Sequence, residues 1–287
     1  MDALLKNARE LTPIHEHNGI YYKRDDLFKP FPGEELNGGK LRQAINLISS
    51  NLDLIRSDYH GKVATTGAID SPQGLIITRV AAYYNLKSFV AFGNIGEEAL
   101  RENNFIQQTR HFGGEVKSIY GIAFDDRLMP ELRKLQQADE GNNFLIVKFG
   151  IDIEKNPCGI DCIADQVENL PDDLVNLVIP AGSGITSGAI LRGIKKFNKK
   201  VKNIYIVHVS GKDRQETIDK IAPGAEYKYY ADKTYKIHHI KRRVRVREDF
   251  YLDSIYEAKA YEWMLKNVYY DSEKTLFWVV GNANFYR

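Results

Sequence analysis

LVNLVIPAGSGITSGAILRGIKKFN (174–198) carries a strand, a turn and a helix in one line of sequence. LVNLVIP (174–180) is an apolar run of the kind found in strands buried on both faces. AGSGITSG (181–188) follows with glycines at 182, 184 and 188, and TSGAILRGIKKFN (186–198) has helical spacing. A strand, a glycine turn and a helix N-terminus gather backbone N–H groups around one point, and the helix dipole makes that point attractive to an anion. Gly182 and Gly184 allow close approach, and Ser183 and Thr186 add hydroxyl donors. No Gly-Lys-Ser/Thr follows, so this is not a P-loop. No ribose-binding acid follows either, so it is a poor dinucleotide fingerprint. The same residues also fit a plain glycine-rich turn, and both readings stand at this level.

The strand-helix rhythm extends outward on both sides. Strands are expected at VATTGA (63–68), KSFVAFGN (87–94), EVKSIYG (115–121), FLIVKFG (144–150), NIYIVHVS (203–210) and KTLFWVVG (274–281). Helices are expected over 71–85, with Ser71 at its cap and Pro72 in its first turn, and over 96–112, 125–139, 160–169 and about 253–267. Alternation with short connections predicts α/β architecture, parallel sheets flanked by helices. Two units are expected: a small α/β domain over 50–155, and a large domain built from 1–49 plus 156–287.

The chain has 287 residues, formal net charge +2, 43% hydrophobic and 27% charged residues. That is ordinary globular composition, too near charge balance to imply a nucleic-acid partner by itself. The start, MDALLKNARELTP, lacks the apolar core of a signal peptide, and no apolar run reaches membrane-spanning length. A soluble, cytoplasmic protein without membrane contact is expected. Cys158 and Cys162 read as two small thiols, because no further soft ligands follow to make a zinc site. The scattered histidines have no metal-ligand spacing, and no metal is expected.

NGGKLRQAINLI (37–48) places Lys40 behind Gly38 and Gly39 at the head of an amphipathic helix. The glycines admit a flat ligand, and a lysine held there attacks a carbonyl if its amine is buried or its pKa lowered. By itself the motif also fits a solvated lysine at a helix start.

Read together, five segments in order resemble the tryptophan-synthase-β-like enzymes that use pyridoxal 5'-phosphate (PLP), the group called fold type II. They are most similar to its aminocyclopropane-carboxylate deaminase and D-cysteine desulfhydrase branch. The segments are LTPIHEHNGIYYKRDDL (11–27), GGKLRQAINLI (38–48), TTGAIDSPQGLIITRVAA (65–82), IPAGSGITSGAILRGI (179–194) and EDFYLDSIYEAKAYEWM (248–264). The resemblance implies two α/β domains with PLP in the interdomain cleft, and a homodimer. It implies that Lys40 carries PLP as a Schiff base and moves the α-proton of an amino-acid substrate. Gly182, Ser183, Gly184, Ile185 and Thr186 would hold the phosphate, and Glu257 would stand by the pyridine nitrogen. Tyr256 and Ser71 would face the substrate, with catalytic hydroxyls. Without the resemblance, Ser71 reads as a helix cap, Glu257 as a solvated helix residue and Tyr256 as core.

The sequence departs from the family where the substrate would bind. The family's Asn-His after the serine is Pro72-Gln73, so Gln73 is expected to take over part of a cofactor contact. Val280-Gly281-Asn282 replaces a Thr-Gly-Gly or Leu-Gly-Gly segment, and 225–248 has little likeness. Within it, KIHHIKRRVRVR (236–247) holds six Lys or Arg residues and two His. Valines would alternate with arginines across such a strand. It reads as a charged edge strand that resists aggregation, or as an anion-binding rim for a phosphorylated or nucleic-acid-linked substrate. The function expected is PLP-dependent lyase or deaminase chemistry at the substrate Cα. The alternatives are decarboxylation or β-replacement on an amino acid linked to a phosphate or nucleic acid, as in viral DNA hypermodification, and a non-catalytic PLP or phosphate binder.

Overall fold

The structure, a computed structural model, describes residues 2–69, 71–119, 125–138, 143–152, 157–209, 213–231, 243–247, 249–270 and 273–281. In chain order the elements are α1 (Ala3–Asn7), β1 (Ile14–His17), β2 (Ile20–Arg24), α2 (Gly39–Ser50), α3 (Leu52–Asp58), β3 (Lys62–Gly67), α4 (Gln73–Tyr83) and β4 (Lys87–Gly93). Then come α5 (Glu97–Glu102), α6 (Asn104–His111), β5 (Glu115–Ile119), α7 (Asp125–Ala138), β6 (Leu145–Val147), α8 (Asp161–Ala164), β7 (Asn176–Ala181) and α9 (Ile185–Lys196). The chain closes with β8 (Asn203–His208), α10 (Gln215–Ile221), β9 (Lys228–Ala231), β10 (Arg245–Arg247), β11 (Phe250–Tyr251), α11 (Glu257–Asn267) and β12 (Thr275–Val279). Two compact units result, Met1–Arg42 with Ile160–Arg287, and Gln43–Gly159.

The first unit holds a six-stranded sheet of order β1-β2-β12-β7-β8-β9, antiparallel only at the β1-β2 hairpin. The last strand of the chain therefore lies inside the sheet, between β2 and β7. Alternate residues face opposite cores. Leu177, Ile179, Leu276 and Trp278 pack with α8, α9 and α10. Val178, Val207, Phe277 and Val279 pack with Ala260 and Met264 of α11. Every residue of β7 is buried, as its apolar run requires. Pro180 is tolerated in this inner strand because the ladder with β12 ends at Val178.

The second unit is a four-stranded parallel sheet, β5-β4-β3-β6. Two sequence expectations change here. The helix expected over 96–112 is split at Asn103, which is extended (φ −70°, ψ 123°) and accepts the Ile106 N–H with its side chain at 3.1 Å. At α4 it is Pro72, not Ser71, that occupies the cap position; Ser71 stands one residue earlier and its Oγ accepts the Gln73 N–H at 3.4 Å. Among the described residues, no helix is long and apolar enough to cross a membrane.

Candidate active site

Lys40 is placed by contact between two backbones. Gly38 has φ +90°, and a Cβ there would lie 2.4 Å from the Val280 carbonyl oxygen and 2.9 Å from Gly281 Cα. Gly281 has φ +98°, and its own Cβ would meet Gly38 Cα at 2.6 Å. Only glycine fits at either position. The Gly39 N–H donates to the Val280 carbonyl at 2.9 Å, tying the head of α2 to the end of β12. Lys40 is the second residue of that helix and is partly buried. Burial lowers the pKa of its amine below the ordinary lysine value, and the charge of Asp253 opposes part of that shift.

A buried lysine is not by itself a reactive one, as Lys23 demonstrates. Its pKa is lowered by burial to about 8, yet its amine donates to Thr12 O and Asn169 Oδ1, both at 2.7 Å. Among the described residues no such hydrogen bond holds Lys40. The Tyr256 ring stands beside it instead, with the centroid 5.8 Å from Nζ.

Tyr256 also meets the glycine turn. A Cβ on Gly182 would lie 2.7 Å from Tyr256 Cε1, so glycine is what lets the ring seat against the turn. Gly184 takes the left-handed conformation (φ 84°) and caps α9 without a side-chain bond. The first intrahelical bond runs from the Gly188 N–H to the Gly184 carbonyl at 2.9 Å. The Ile185 N–H meets Ser183 Oγ at 3.4 Å, while the N–H groups of Thr186 and Ser187 have no acceptor within the helix. The side chains of Ser183 and Thr186 are partly exposed.

Glu257 opens α11 and is fully buried. Its Oε1 accepts the Gly281 N–H at 2.8 Å and its Oε2 the Asp253 N–H at 2.7 Å. Burial raises its pKa well above the usual glutamate range, and the Asp253 charge adds to the rise. Gly281 thus touches both the Lys40 segment and the Glu257 carboxyl. Asp253 accepts the N–H groups of Tyr256 and Ile255 at 2.7 and 3.1 Å. From sequence, Asp253 has no role, and Gly281 enters only as part of the segment 280–282 that departs from the family. The local signal was present in DSIYE (253–257), where an acid precedes a helix start by a turn.

An acid whose folded pKa is raised stabilises the fold most below its unfolded pKa, and that contribution fades as pH rises towards the folded value. The wild-type unfolding free energy should therefore fall with pH above the usual glutamate range, by up to about 1.4 kcal/mol per pH unit for this group. Glu257→Gln should flatten that slope, as measured by urea unfolding at a series of pH values.

The KRDD segment (23–26) forms a clamp beneath the site. Arg24 binds Asp26 bidentately at 2.8 and 2.7 Å, and Asp25 accepts Thr12 Oγ1 at 2.9 Å and Trp278 Nε1 at 3.1 Å. Every one of these contacts is structural.

Lys40, Gly182, Tyr256 and Glu257 thus come together in the first unit, while Ser71 and Gln73 belong to the second. Ser71 is partly buried at the head of α4. The Gln73 side chain is fully buried and already engaged. Its Nε2 donates to Thr65 Oγ1 at 2.8 Å and Lys148 O at 2.9 Å, and its Oε1 accepts the Gly150 N–H at 2.9 Å. Of the basic stretch, 236–242 lies outside the described residues, as does Asn282. Residues 243–247 alternate as expected: Arg243, Arg245 and Arg247 are exposed, whereas Val244 and Val246 pack on the core.

No family model matches the chain. Over 219 residues it is 28% identical to the O-seryl-dTMP PLP-dependent decarboxylase of Salmonella phage ViI, an alignment covering 70% of this chain and 49% of the phage protein. The chain thus spans about half the length of that curated relative. Among solved structures, an ACC deaminase homologue superposes with a TM-score of 0.75 at 21% identity, covering 98% of this chain and 95% of its own. A pyridoxal 5'-phosphate-dependent aspartate racemase matches with a TM-score of 0.61 at 13% identity, over 97% and 94%. The O-acetylserine dependent cystathionine beta-synthase of Helicobacter pylori matches with a TM-score of 0.66 at 16% identity, over 99% and 96%. The chain shares their fold. Fold type II, expected from five short segments, is the architecture of this protein.

Proposed function

We propose that this chain is a PLP-dependent enzyme acting at the Cα of an amino-acid substrate, and that the substrate's amino acid is carried on a nucleotide and is decarboxylated. The observation that carries the PLP reading is Lys40: an amine of lowered pKa, without a hydrogen bond among the described residues, walled by Tyr256 and set beside a glycine turn. The residues present fit the cofactor. Glycine at 182 lets the Tyr256 ring pack against the turn. The N–H groups of Thr186 and Ser187, with the hydroxyls of Ser183 and Thr186, suit a phosphate. Bound PLP supplies an electron sink for the pair released when a bond at Cα breaks.

The other roles belong to the chain's own side chains. Lys40 holds the cofactor and carries the proton to or from Cα. Gly182, Ser183, Gly184, Ile185 and Thr186 hold the phosphate. Glu257, kept protonated by its buried setting, partners the ring nitrogen. Tyr256 and Ser71 offer hydroxyls to the substrate. Gln73, its amide already engaged, supports the site by bracing β3 against the 148–150 turn.

Decarboxylation is favoured over deamination by the similarity to the phage decarboxylase; in it, CO2 leaves and Lys40 returns a proton to Cα. The lyase or deaminase reading keeps support from the superposition on the ACC deaminase homologue. Purified chain mixed with PLP should develop a visible absorption band. Incubation with O-seryl-dTMP and with free amino acids then separates the readings. CO2 from the nucleotide-linked substrate supports decarboxylation; ammonia and a keto acid from free amino acids support the lyase. A band without turnover of any substrate supports a non-catalytic binder, and absence of a band removes the PLP reading.

A nucleotide-linked substrate gives the basic hairpin a use. β10 pairs with β11, its valines pack inward, and its arginines present positive charge to solvent. Arg247 is partly neutralised by Asp249, at 2.9 Å. Arg243 and Arg245, both exposed, are assigned to phosphates of a nucleic acid bearing the substrate. Replacing both by alanine should weaken DNA retention on filters at low salt and lower the slope of log affinity against log salt by about 0.9 for each phosphate no longer neutralised. Salt-independent or unchanged retention would remove the nucleic-acid partner. A homodimer and a cytoplasmic setting are proposed from family likeness.

A further inference from the structure

The carboxylate of Asp253 lies at the centre of the site without a place in the chemistry assigned above. It is 4% exposed. Its Oδ1 receives the N–H groups of Ile255 at 3.1 Å and Tyr256 at 2.7 Å. Its backbone N–H donates to Glu257 Oε2 at 2.7 Å, and its carbonyl receives the Ala258 N–H at 2.9 Å. One residue thus holds four consecutive positions, 255 to 258, including the tyrosine whose ring is 5.8 Å from Lys40 Nζ and the glutamate that receives Gly281. The charged and titratable groups around it are Lys40 of α2, Glu257 of α11 and, facing Glu257, Asp26 after β2.

We propose that Asp253 is a positioning residue for Lys40, its carboxylate pinning the Tyr256 backbone so that the ring walls the amine, and setting a negative charge opposite that amine. This rests on the reading of Lys40 as the cofactor lysine. The two acids divide their work by environment. Burial raises the Asp253 pKa above the ordinary aspartate value, while its two N–H donors and Lys40 pull it back towards the carboxylate. Glu257, next to that charge, is the partner kept protonated. Asp253 opposes the effect of burial on Lys40, so the amine keeps its proton to higher pH than burial alone would allow. A lysine that must both release and return a proton at Cα needs such a counterweight.

The test uses the full chain and two substitutions. Asp253→Asn keeps an oxygen for the Ile255 and Tyr256 amides but removes the charge; Asp253→Ala removes both. Competitive labelling of lysines with acetic anhydride across a pH series, read by peptide mass spectrometry with exposed Lys266 as internal reference, gives the titration midpoint of Lys40 without any cofactor. The expected result is a Lys40 midpoint about one pH unit lower in Asp253→Asn than in wild type, with an unchanged melting temperature. PLP affinity should fall about tenfold in Asp253→Ala and be rescued most of the way by Asp253→Asn. An unchanged or higher midpoint in Asp253→Asn would overturn the proposal, as would equal PLP affinity in wild type and a folded Asp253→Ala. If Asp253→Ala does not fold, the Asp253→Asn midpoint decides. Because labelling needs no cofactor, a wild-type chain that binds no PLP would remove the functional reading above while leaving the electrostatic result to be read by itself.

Discussion

Lys40→Ala should abolish the visible band that wild-type chain develops with PLP, and should lower turnover of any substrate by about 10²- to 10⁴-fold through loss of proton transfer alone. Two features of the structure make this the largest expected effect. The amine stands beside the Tyr256 ring, which also packs on the glycine turn, and its lowered pKa raises the neutral fraction that attacks an aldehyde. Its neighbours cannot substitute. Lys23 is held by two hydrogen bonds under the sheet, and Lys259 is buried within α11. The phosphate cradle should survive the substitution, because it is made of backbone N–H groups on a different element. Lys40→Ala is therefore expected to bind PLP weakly and reversibly, with the spectrum of free aldehyde. Equilibrium dialysis beside absorption spectroscopy checks both halves. A persistent band in Lys40→Ala would move the cofactor lysine elsewhere.

Gly38→Ala should be among the most damaging single-methyl additions in the protein, while Gly39→Ala, one residue on, should be mild. The new methyl at 38 would lie 2.4 Å from a backbone carbonyl oxygen and would hold an L side chain at φ +90°. The conformational penalty is about 1–2 kcal/mol and the steric one about 1–3 kcal/mol. Set against a typical total stability of about 5–15 kcal/mol, the loss is large. The methyl at 39 would meet Asp25 Oδ2 at 3.4 Å and the Val280 carbonyl oxygen at 3.9 Å, and alanine suits a helix start better than glycine, so a cost below about 1 kcal/mol is expected. Urea unfolding of the two variants measures this difference. Gly38→Ala should also lose the PLP band, because relief of the clash requires the Lys40 segment to move away from Val280 and Gly281. Equal stability of the two variants would mean that the contact between these backbones is not what places Lys40.

The architecture was legible because it is written in short-range pattern. The apolar run 174–180 and the glycine turn after it could form little else, and VATTGA, KSFVAFGN and EVKSIYG repeat the rhythm that yields a parallel sheet. Boundaries were less legible where a side chain makes a local bond, as at Asn103, which ends one helix and caps the next. The candidate site divides in the same way. Lys40 and Gly182 to Thr186 carry local signals, namely glycines ahead of a helix. The pairing of Gly38 with Gly281 does not, because it joins positions 243 residues apart (281 − 38) through the insertion of β12 between β2 and β7. Gln73 shows the same limit: its position after Ser71 suggests a cofactor role, but the partners that hold its amide, Thr65, Lys148 and Gly150, lie on segments that only the fold brings together. Asp253 reads as an ordinary acid ahead of a helix until the fold brings Lys40 to face it.

The most direct test of the central claim is to incubate the chain with PLP, reduce it with borohydride, digest it and map the phosphopyridoxyl label by mass spectrometry. The account predicts one dominant label, on the peptide containing Lys40, and its disappearance when excess inorganic phosphate competes for the glycine turn. A label spread over exposed lysines, or centred on any lysine other than Lys40, would contradict it.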